Sequence, residues 1–137
     1  MVFQKQFNEL SNLELLQIMQ LRQSVFMIEQ AIHEVDIDEF DPNALHCFVK
    51  RESNIVSYAR LIMHHDQLYV GRVCTNANYR NRGFATEIMK EFQKQHEVLA
   101  VSAQIQVIPY YKKLGFQLVG KKYKEAGIWH QKMVWIS

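Results

Sequence analysis

The stretch that decides the fold covers residues 71–85 and has the sequence GRVCTNANYRNRGFA. It predicts a strand, then a short polar loop, then a helix that opens on Arg-x-x-Gly-x-Ala. Along that helix, apolar residues recur on one face at the spacing of a helix that packs against a core: Phe84, Ile88, Met89 and Phe92. We therefore expect a core-facing helix to begin directly after a strand.

The start of this helix has the properties of an anion site. The first backbone N–H groups of a helix have no partners within the helix and lie at the positive end of its dipole. Gly83 leaves no side chain between those groups and a ligand, and Arg80 and Arg82 add positive charge. The segment therefore predicts a phosphate or pyrophosphate site, although a glycine after a basic pair can also be a simple turn. Neither Gly-x-Gly-x-x-Gly nor Gly-Lys-Ser/Thr occurs, so these two nucleotide-binding fingerprints do not apply.

Two blocks of the sequence resemble the GNAT family of N-acetyltransferases. Arg80-x-x-Gly83-x-Ala85 resembles the family's Gln/Arg-x-x-Gly-x-Gly/Ala signature, whose helix-start amides hold the pyrophosphate of acetyl coenzyme A. Residues 109–116, PYYKKLGF, resemble the family's Tyr-x-x-x-Gly-Phe stretch near the C-terminus. The two blocks come in the family's order and at its spacing, and the resemblance covers essentially the whole chain.

A narrower resemblance is to the ElaA-like branch of that family. Residues 21–30, LRQSVFMIEQ, resemble the branch's Leu-Arg-x-x-Val-Phe-x-x-Glu-Gln. Three further features are similar to the branch: the acidic residues 36–41 followed by His46, the run Gly-Ile-Trp-His at residues 127–130, and Met133. Trp129 stands where the branch usually has proline. Members of this branch are mostly known as predicted acetyltransferases, so the resemblance implies a reaction more firmly than a substrate.

Composition limits the classes of protein to which the chain can belong. Its 137 residues suffice for one domain, and 48% apolar residues can form a substantial core. The formal net charge of +2 is too small to indicate nucleic-acid or membrane binding. No apolar run is long enough to span a bilayer, and no signal peptide opens the chain. We therefore expect a cytoplasmic protein, a location that an enzyme using acetyl coenzyme A also requires.

The apolar pattern predicts an α/β protein with a mixed sheet flanked by helices. Helices are expected after a capping box at Ser11 and Glu14, at Gly83, and over residues 108–114. Strands are expected over residues 2–7, 47–51, 55–63, 68–75, 98–103, 116–123 and 130–136. Residues 30–44 predict a surface loop or short helix. The order β α β β β α β α β β follows from pattern. The resemblance adds that this is the order of the GNAT-like acyl-CoA N-acyltransferase fold, and it implies one N-acetyltransferase domain over residues 1–137.

The short turns and the two cysteines lead to further expectations. Turns at Ser53-Asn54 and His65-Asp66 predict an antiparallel meander of three strands. Cys47 and Cys74 lie in apolar runs, so we expect them to be reduced and buried, and no Cys-x-x-Cys or His/Cys spacing suggests a metal site.

Three arginines, Arg22, Arg60 and Arg72, lie in otherwise apolar surroundings, where an arginine is usually paired with a carboxylate. The acidic cluster within residues 36–41 could supply that partner. It could equally face a cationic amine substrate. The sequence leaves both interpretations open.

The resemblance implies acetyl-CoA as cosubstrate, no metal, and a set of residues that bind the cofactor. The strand of residues 73–75 would make main-chain contacts with the pantetheine arm, and one of its N–H groups would polarise the thioester carbonyl. Thr75 stands where the family more often has valine. The expected cofactor-binding residues are Val73, Cys74, Thr75, Arg80, Asn81, Arg82, Gly83, Phe84, Ala85, Thr86 and Tyr111.

Acyl transfer from a thioester to an amine needs an acid for the leaving sulfur and a means of deprotonating the amine. Tyr111 matches the family's tyrosine, and a phenol pKa of about 10 exceeds a thiol pKa of about 8.5, so it would hold its proton. Its hydroxyl could instead bind a backbone group.

Candidates for the base are Glu29, Asp38, His46 and His130, with Glu29 and His130 first because they lie in the ElaA-like blocks. Ordered water could replace a side-chain base.

The sequence therefore predicts an N-acetyltransferase that moves the acetyl group of acetyl-CoA to a primary amine of a small molecule. The alternative is a non-catalytic acyl-CoA-binding sensor or interaction module with the same fold. Transfer of a longer acyl chain is a third possibility. A homodimer is an expectation at the level of the family.

Overall fold

The computed structural model describes residues 1–137, which form a seven-stranded mixed sheet and three α-helices. The strands are β1 (Val2–Gln6), β2 (Leu45–Arg51), β3 (Asn54–His64), β4 (Gln67–Thr75), β5 (Val98–Gln104), β6 (Gln117–Glu125) and β7 (Ile128–Ile136). The helices are α1 (Asn12–Arg22), α2 (Phe84–Gln95) and α3 (Ile108–Lys113). The predicted order of elements is confirmed. None of the helices combines the length and the apolar composition needed to cross a bilayer.

The sheet order is β1-β2-β3-β4-β5-β7-β6, and only the β4–β5 pair is parallel. The predicted meander of β2, β3 and β4 is confirmed. Its second turn lies at His65 and Asp66, both with positive φ, as predicted. Its first turn lies at Glu52 and Ser53, one residue earlier than predicted, because these two residues take the positive φ values and the next residue already belongs to β3.

Both faces of the central strands are covered, so residues 55–61 of β3 are all buried, the polar ones included. Adjacent residues of β3 contribute to different cores, with Tyr58 in the smaller core and Ala59 in the larger. Helix α1 supplies Ile18 to the smaller core, whereas α2 supplies Phe92 to the larger.

Cys47 and Cys74 are buried and unpaired, one in each core, as predicted. Burial raises the pKa of both thiols.

Helix α1 begins and ends with distinct local structures. The predicted capping box at its start is present, because the Ser11 hydroxyl accepts from the Glu14 N–H and the Glu14 carboxylate accepts from the Ser11 N–H. At its end the helix continues as a π-helix over Gln23–Glu29, which the sequence pattern did not predict. The π-helix ends at Glu29, whose carboxylate forms an ion pair with Arg80 at 2.8 Å.

Buried arginine–aspartate pairs attach the loop of residues 36–41 to the sheet and to α1. Arg22 is fully buried and contacts Asp41 at 2.7 Å and Asp36 at 3.0 Å. Arg60 contacts Asp38 at 2.6 Å and Asp41 at 2.9 Å. Burial alone would raise the pKa of Asp41, but Arg22, the Asp38 N–H and Arg60 outweigh it and lower the pKa to about 2.

Arg72 completes this network by contacting Asp36 at 3.0 Å and Asp38 at 3.2 Å. The expectation that the three arginines pair with carboxylates is therefore confirmed. The aspartates of the acidic cluster are neutralised within the protein, so they do not present free charge to a cationic substrate.

We expect Arg22→Met to lower the free energy of unfolding by about 3–5 kcal/mol, because it leaves Asp36 and Asp41 buried without their main counter-charge. Chemical denaturation at pH 7 measures this change. Lys90→Met is the matched control, since Lys90 is exposed on α2 and makes no ion pair. Equal stabilities of the two variants would contradict a structural role for the network.

Candidate active site

A cleft opens between β4 and β5 at their carboxyl ends. The two strands pair only at Tyr69 with Ala100 and at Val70 with Val101. Beyond these pairs they separate, and a cleft of about 1170 Å³ lies between them. Ligands commonly bind at the carboxyl ends of parallel strands, because loops and helix N-termini meet there.

A β-bulge in β4 marks the edge of this cleft. Arg72 and Val73 together stand opposite Ala59 of β3, and Arg72 has a φ of 53°. A bulge leaves one residue out of the ladder and re-aims the strand. Val73 in the bulge and the two residues after it, Cys74 and Thr75, line the cleft.

The N-terminus of α2 supplies an uncapped anion site on the same cleft. Gly83 is the residue before the helix, with a φ of 81°, a value that glycine adopts without strain. The first backbone bond runs from the Glu87 N–H to the Gly83 carbonyl at 2.9 Å, and no side chain caps the helix. The N–H groups of Phe84, Ala85 and Thr86 therefore have no partner in the protein.

The two arginines predicted to assist this site have different surroundings. Arg80 lines the cleft, where its Nε donates to the Thr75 carbonyl at 3.1 Å and its Nη2 donates to the Glu29 carboxylate at 2.8 Å. The Arg82 guanidinium lies over the ring of Tyr79, 5.2 Å from its centroid. Arg82 is the one predicted cofactor-binding residue that does not line the cleft. The lining includes the other ten: Val73, Cys74, Thr75, Arg80, Asn81, Gly83, Phe84, Ala85, Thr86 and Tyr111.

Tyr111 lies on α3 with its ring buried against Phe116 and Tyr110. Its hydroxyl makes no hydrogen bond within the protein, so it does not bind the backbone group that the sequence left as an alternative. Burial raises the pKa of this phenol, which keeps it protonated. The neighbouring Tyr110 bonds the Thr86 hydroxyl at 2.9 Å and thereby ties α3 to the start of α2.

His130 lies on β7 at the opposite wall of the cleft and is 8% exposed. Its Nδ1 lies 2.8 Å from the Ile128 carbonyl oxygen. Because a carbonyl only accepts, Nδ1 carries the proton in this contact, and Nε2 of the neutral ring holds a lone pair. That Nε2 lies 3.7 Å from a carboxylate oxygen of Glu125.

The other candidate bases have internal partners. His46 is fully buried, with Nδ1 at 2.6 Å from the Tyr58 hydroxyl and Nε2 at 2.9 Å from the Asp41 carbonyl, and burial lowers its pKa. Asp38 is held by two arginines, as described above. Glu29 lines the cleft but is engaged by Arg80.

Sequence reasoning missed a polar group on β5 and β6 that lines the same cleft. The Ser102 hydroxyl contacts the Tyr123 hydroxyl and donates to the Glu125 carboxylate at 3.0 Å. The Tyr123 ring stacks on His130, with centroids 6.1 Å apart. The one feature of the sequence that could have indicated this group is a serine, Ser102, within the apolar part of β5, VLAVSA.

Comparisons with known sequences agree with this geometry. The family model described as "Acetyltransferase (GNAT) domain" matches residues 15–137. A UPF0039 protein of Schizosaccharomyces pombe is 33% identical, over 94% of this chain and 92% of its own length. Protein ElaA of Escherichia coli is 28% identical, over 90% of this chain and 88% of its own length.

Solved structures give the same grouping. An acyl-CoA N-acyltransferase from Pseudomonas aeruginosa superposes with a TM-score of 0.90 and 27% identity, over 98% of both chains. Escherichia coli ElaA superposes with a TM-score of 0.88 and 25% identity, also over 98% of both chains. The chain therefore belongs to the GNAT acetyltransferase family and to its ElaA-like branch.

Proposed function

We propose that the protein is an N-acetyltransferase that moves the acetyl group of acetyl-CoA to a primary amine of a small molecule. The observation that supports this most strongly is the meeting of three features in one cleft. These are the uncapped start of α2, the separated ends of β4 and β5, and the unpartnered hydroxyl of Tyr111. The domain that carries the reaction would span residues 1–137.

The residues at the start of α2 fit a pyrophosphate. The free N–H groups of Phe84, Ala85 and Thr86 lie at the positive end of the α2 dipole, and Gly83 places no side chain before them. Arg80 also lines the cleft and would donate hydrogen bonds to the pyrophosphate, although its charge is already paired with Glu29. Bound acetyl-CoA would supply an activated acyl group as a thioester.

The main chain of Val73, Cys74 and Thr75 would hold the arm of that cosubstrate. Val73 belongs to the bulge in β4 and the other two residues follow it, and none of the three pairs with β5. Strand groups without a neighbour can bind an extended ligand as another strand would. An N–H here would stabilise the developing oxyanion.

Tyr111 and His130 are the acid and base that the geometry favours. The Tyr111 hydroxyl holds a proton and has no protein partner, so it can donate to a departing sulfur. His130 presents the lone pair of Nε2 toward the cleft and can accept a proton from an incoming amine. Glu29 is the second candidate base, and its engagement by Arg80 disfavours it.

The cofactor site is tested by Ala85→Glu, with Ala85→Gln as its uncharged match. The added carboxylate at the start of α2 would repel a pyrophosphate while favouring the helix dipole. We expect isothermal titration to give an acetyl-CoA affinity at least about tenfold weaker for the glutamate variant, with no loss of thermal stability relative to the glutamine variant. Equal affinities would place the pyrophosphate elsewhere.

The acid is tested by Tyr111→Phe against Tyr110→Phe, which removes one hydroxyl from the adjacent position. We expect the first to lower kcat by about 10²-fold with unchanged acetyl-CoA affinity, and the second to change kcat little. Thiol release during turnover measures both. Unchanged turnover of Tyr111→Phe would remove this residue from the mechanism.

The base is tested by His130→Gln and Glu29→Gln, each assayed for turnover and for acetyl-CoA affinity. We expect a fall of about 10²-fold in kcat/KM for the amine in the histidine variant and a much smaller fall in the glutamate variant. The reverse ranking would assign the base to Glu29. Equal activity of both variants and the wild type would indicate deprotonation by water.

A further inference from the structure

The cleft has an uneven balance of charge. Its basic side chains, apart from histidines, are Arg60, Arg72 and Arg80, and each is paired with a carboxylate. Its acidic side chains are Glu29, Glu34, Asp36, Asp38 and Glu125. After the arginine pairs are subtracted, Glu34 and Glu125 remain without a cationic partner other than a histidine. The cleft therefore offers free negative charge and no free arginine or lysine.

Glu125 is held in place at the wall that carries His130. Its Oε2 accepts from the Ser102 hydroxyl at 3.0 Å, and Ser102 in turn contacts Tyr123. The nearest lysine on the same face of β7, Lys132, is directed away, because its ammonium contacts Gln67 and lies 5.5 Å from the centroid of the Tyr69 ring. The Glu125 side chain is 60% exposed at the mouth of the cleft, and the Ser102 hydroxyl is its hydrogen-bond donor.

Glu125 and His130 face each other with two acceptor atoms. The lone pair of His130 Nε2 lies 3.7 Å from Glu125 Oε2, and the His130 proton is already used at Nδ1. Two acceptors at this distance repel unless a proton donor or a cation joins them. His130 is 8% exposed and lines the cleft, so little of its ring contacts bulk water.

We propose that Glu125 and His130 bind the ammonium group of the acceptor, and that the acceptor is a primary amine without a carboxylate. This inference rests on the proposed function and identifies its substrate class. An α-amino acid would bring a carboxylate into a cleft whose arginines are all paired, next to an unpaired Glu125. A carboxylate-free amine brings no anionic group next to Glu125.

The proton balance follows from the same contacts. The acceptor enters as an ammonium, as most free alkylamines are near neutral pH. One N–H proton passes to His130 Nε2, which leaves a neutral amine lone pair and an imidazolium. Glu125 then balances the imidazolium charge across 3.7 Å. Glu125 is a specificity residue in this scheme, whereas His130 is the base.

Matched amine pairs test the substrate class. Phenethylamine is compared with phenylalanine, and cadaverine with lysine, with acetyl-CoA as donor and thiol release as the readout. Each pair differs only by a carboxylate. We expect kcat/KM to be at least about tenfold higher for the carboxylate-free member of each pair. Equal or higher activity with the amino acids would overturn the proposal.

Glu125→Gln tests the residue, and Glu52→Gln is its control, because Glu52 is exposed in the β2–β3 turn outside the cleft. We expect Glu125→Gln to raise KM for the carboxylate-free amine about tenfold and so to reduce the ratio of kcat/KM between the two members of each pair. Its affinity for acetyl-CoA should be unchanged. The control should match the wild type. An unchanged preference in Glu125→Gln would overturn the assignment of Glu125 alone. Acetyl-CoA binding without transfer to any amine would overturn the proposed function as well.

Discussion

The structure depends on the pairing of buried arginines with the aspartates of residues 36–41. A buried guanidinium is costly unless its charge and its donors are satisfied. Arg22 comes from the end of α1, Arg60 from β3 and Arg72 from the bulge of β4, and all three meet the same loop. This loop can therefore cover one face of the sheet beside the cleft even though it contains no regular strand or α-helix.

Because these ion pairs stabilise one wall of the cleft, β4 and β5 can separate while both hydrophobic cores stay packed. The β4 and β5 strands share only two residue pairs, yet each strand remains anchored by its other neighbour, β3 or β7. The bulge at Arg72 adds the change of strand direction, and its arginine is secured by Asp36. The same residue thus contributes to the shape of the site and to the stability of its wall.

Local pattern predicted most of the fold, because apolar spacing, the capping box at Ser11 and the turn at His65 act over a few residues. The anion site at the start of α2 could also be predicted, since the residues that form it are adjacent in the sequence. The π-helix after Arg22 and the group formed by Ser102 and Glu125 were not predictable in this way. The first gives no local signal, and the second joins residues of different strands that only the sheet order brings together.

Composition could not predict how charge is distributed in the cleft either. A net charge of +2 does not show where the positive and negative charges lie in the folded protein. In the fold, the start of α2 offers free N–H groups to the cleft, whereas Glu125 on β6 is a carboxylate that no lysine or arginine pairs. Partial charges of opposite sign within one cleft would favour two ligands of opposite charge at different places in it. Tyr111 also lines this cleft, so an anionic donor and a cationic acceptor would both lie in the cavity that holds the proposed acid.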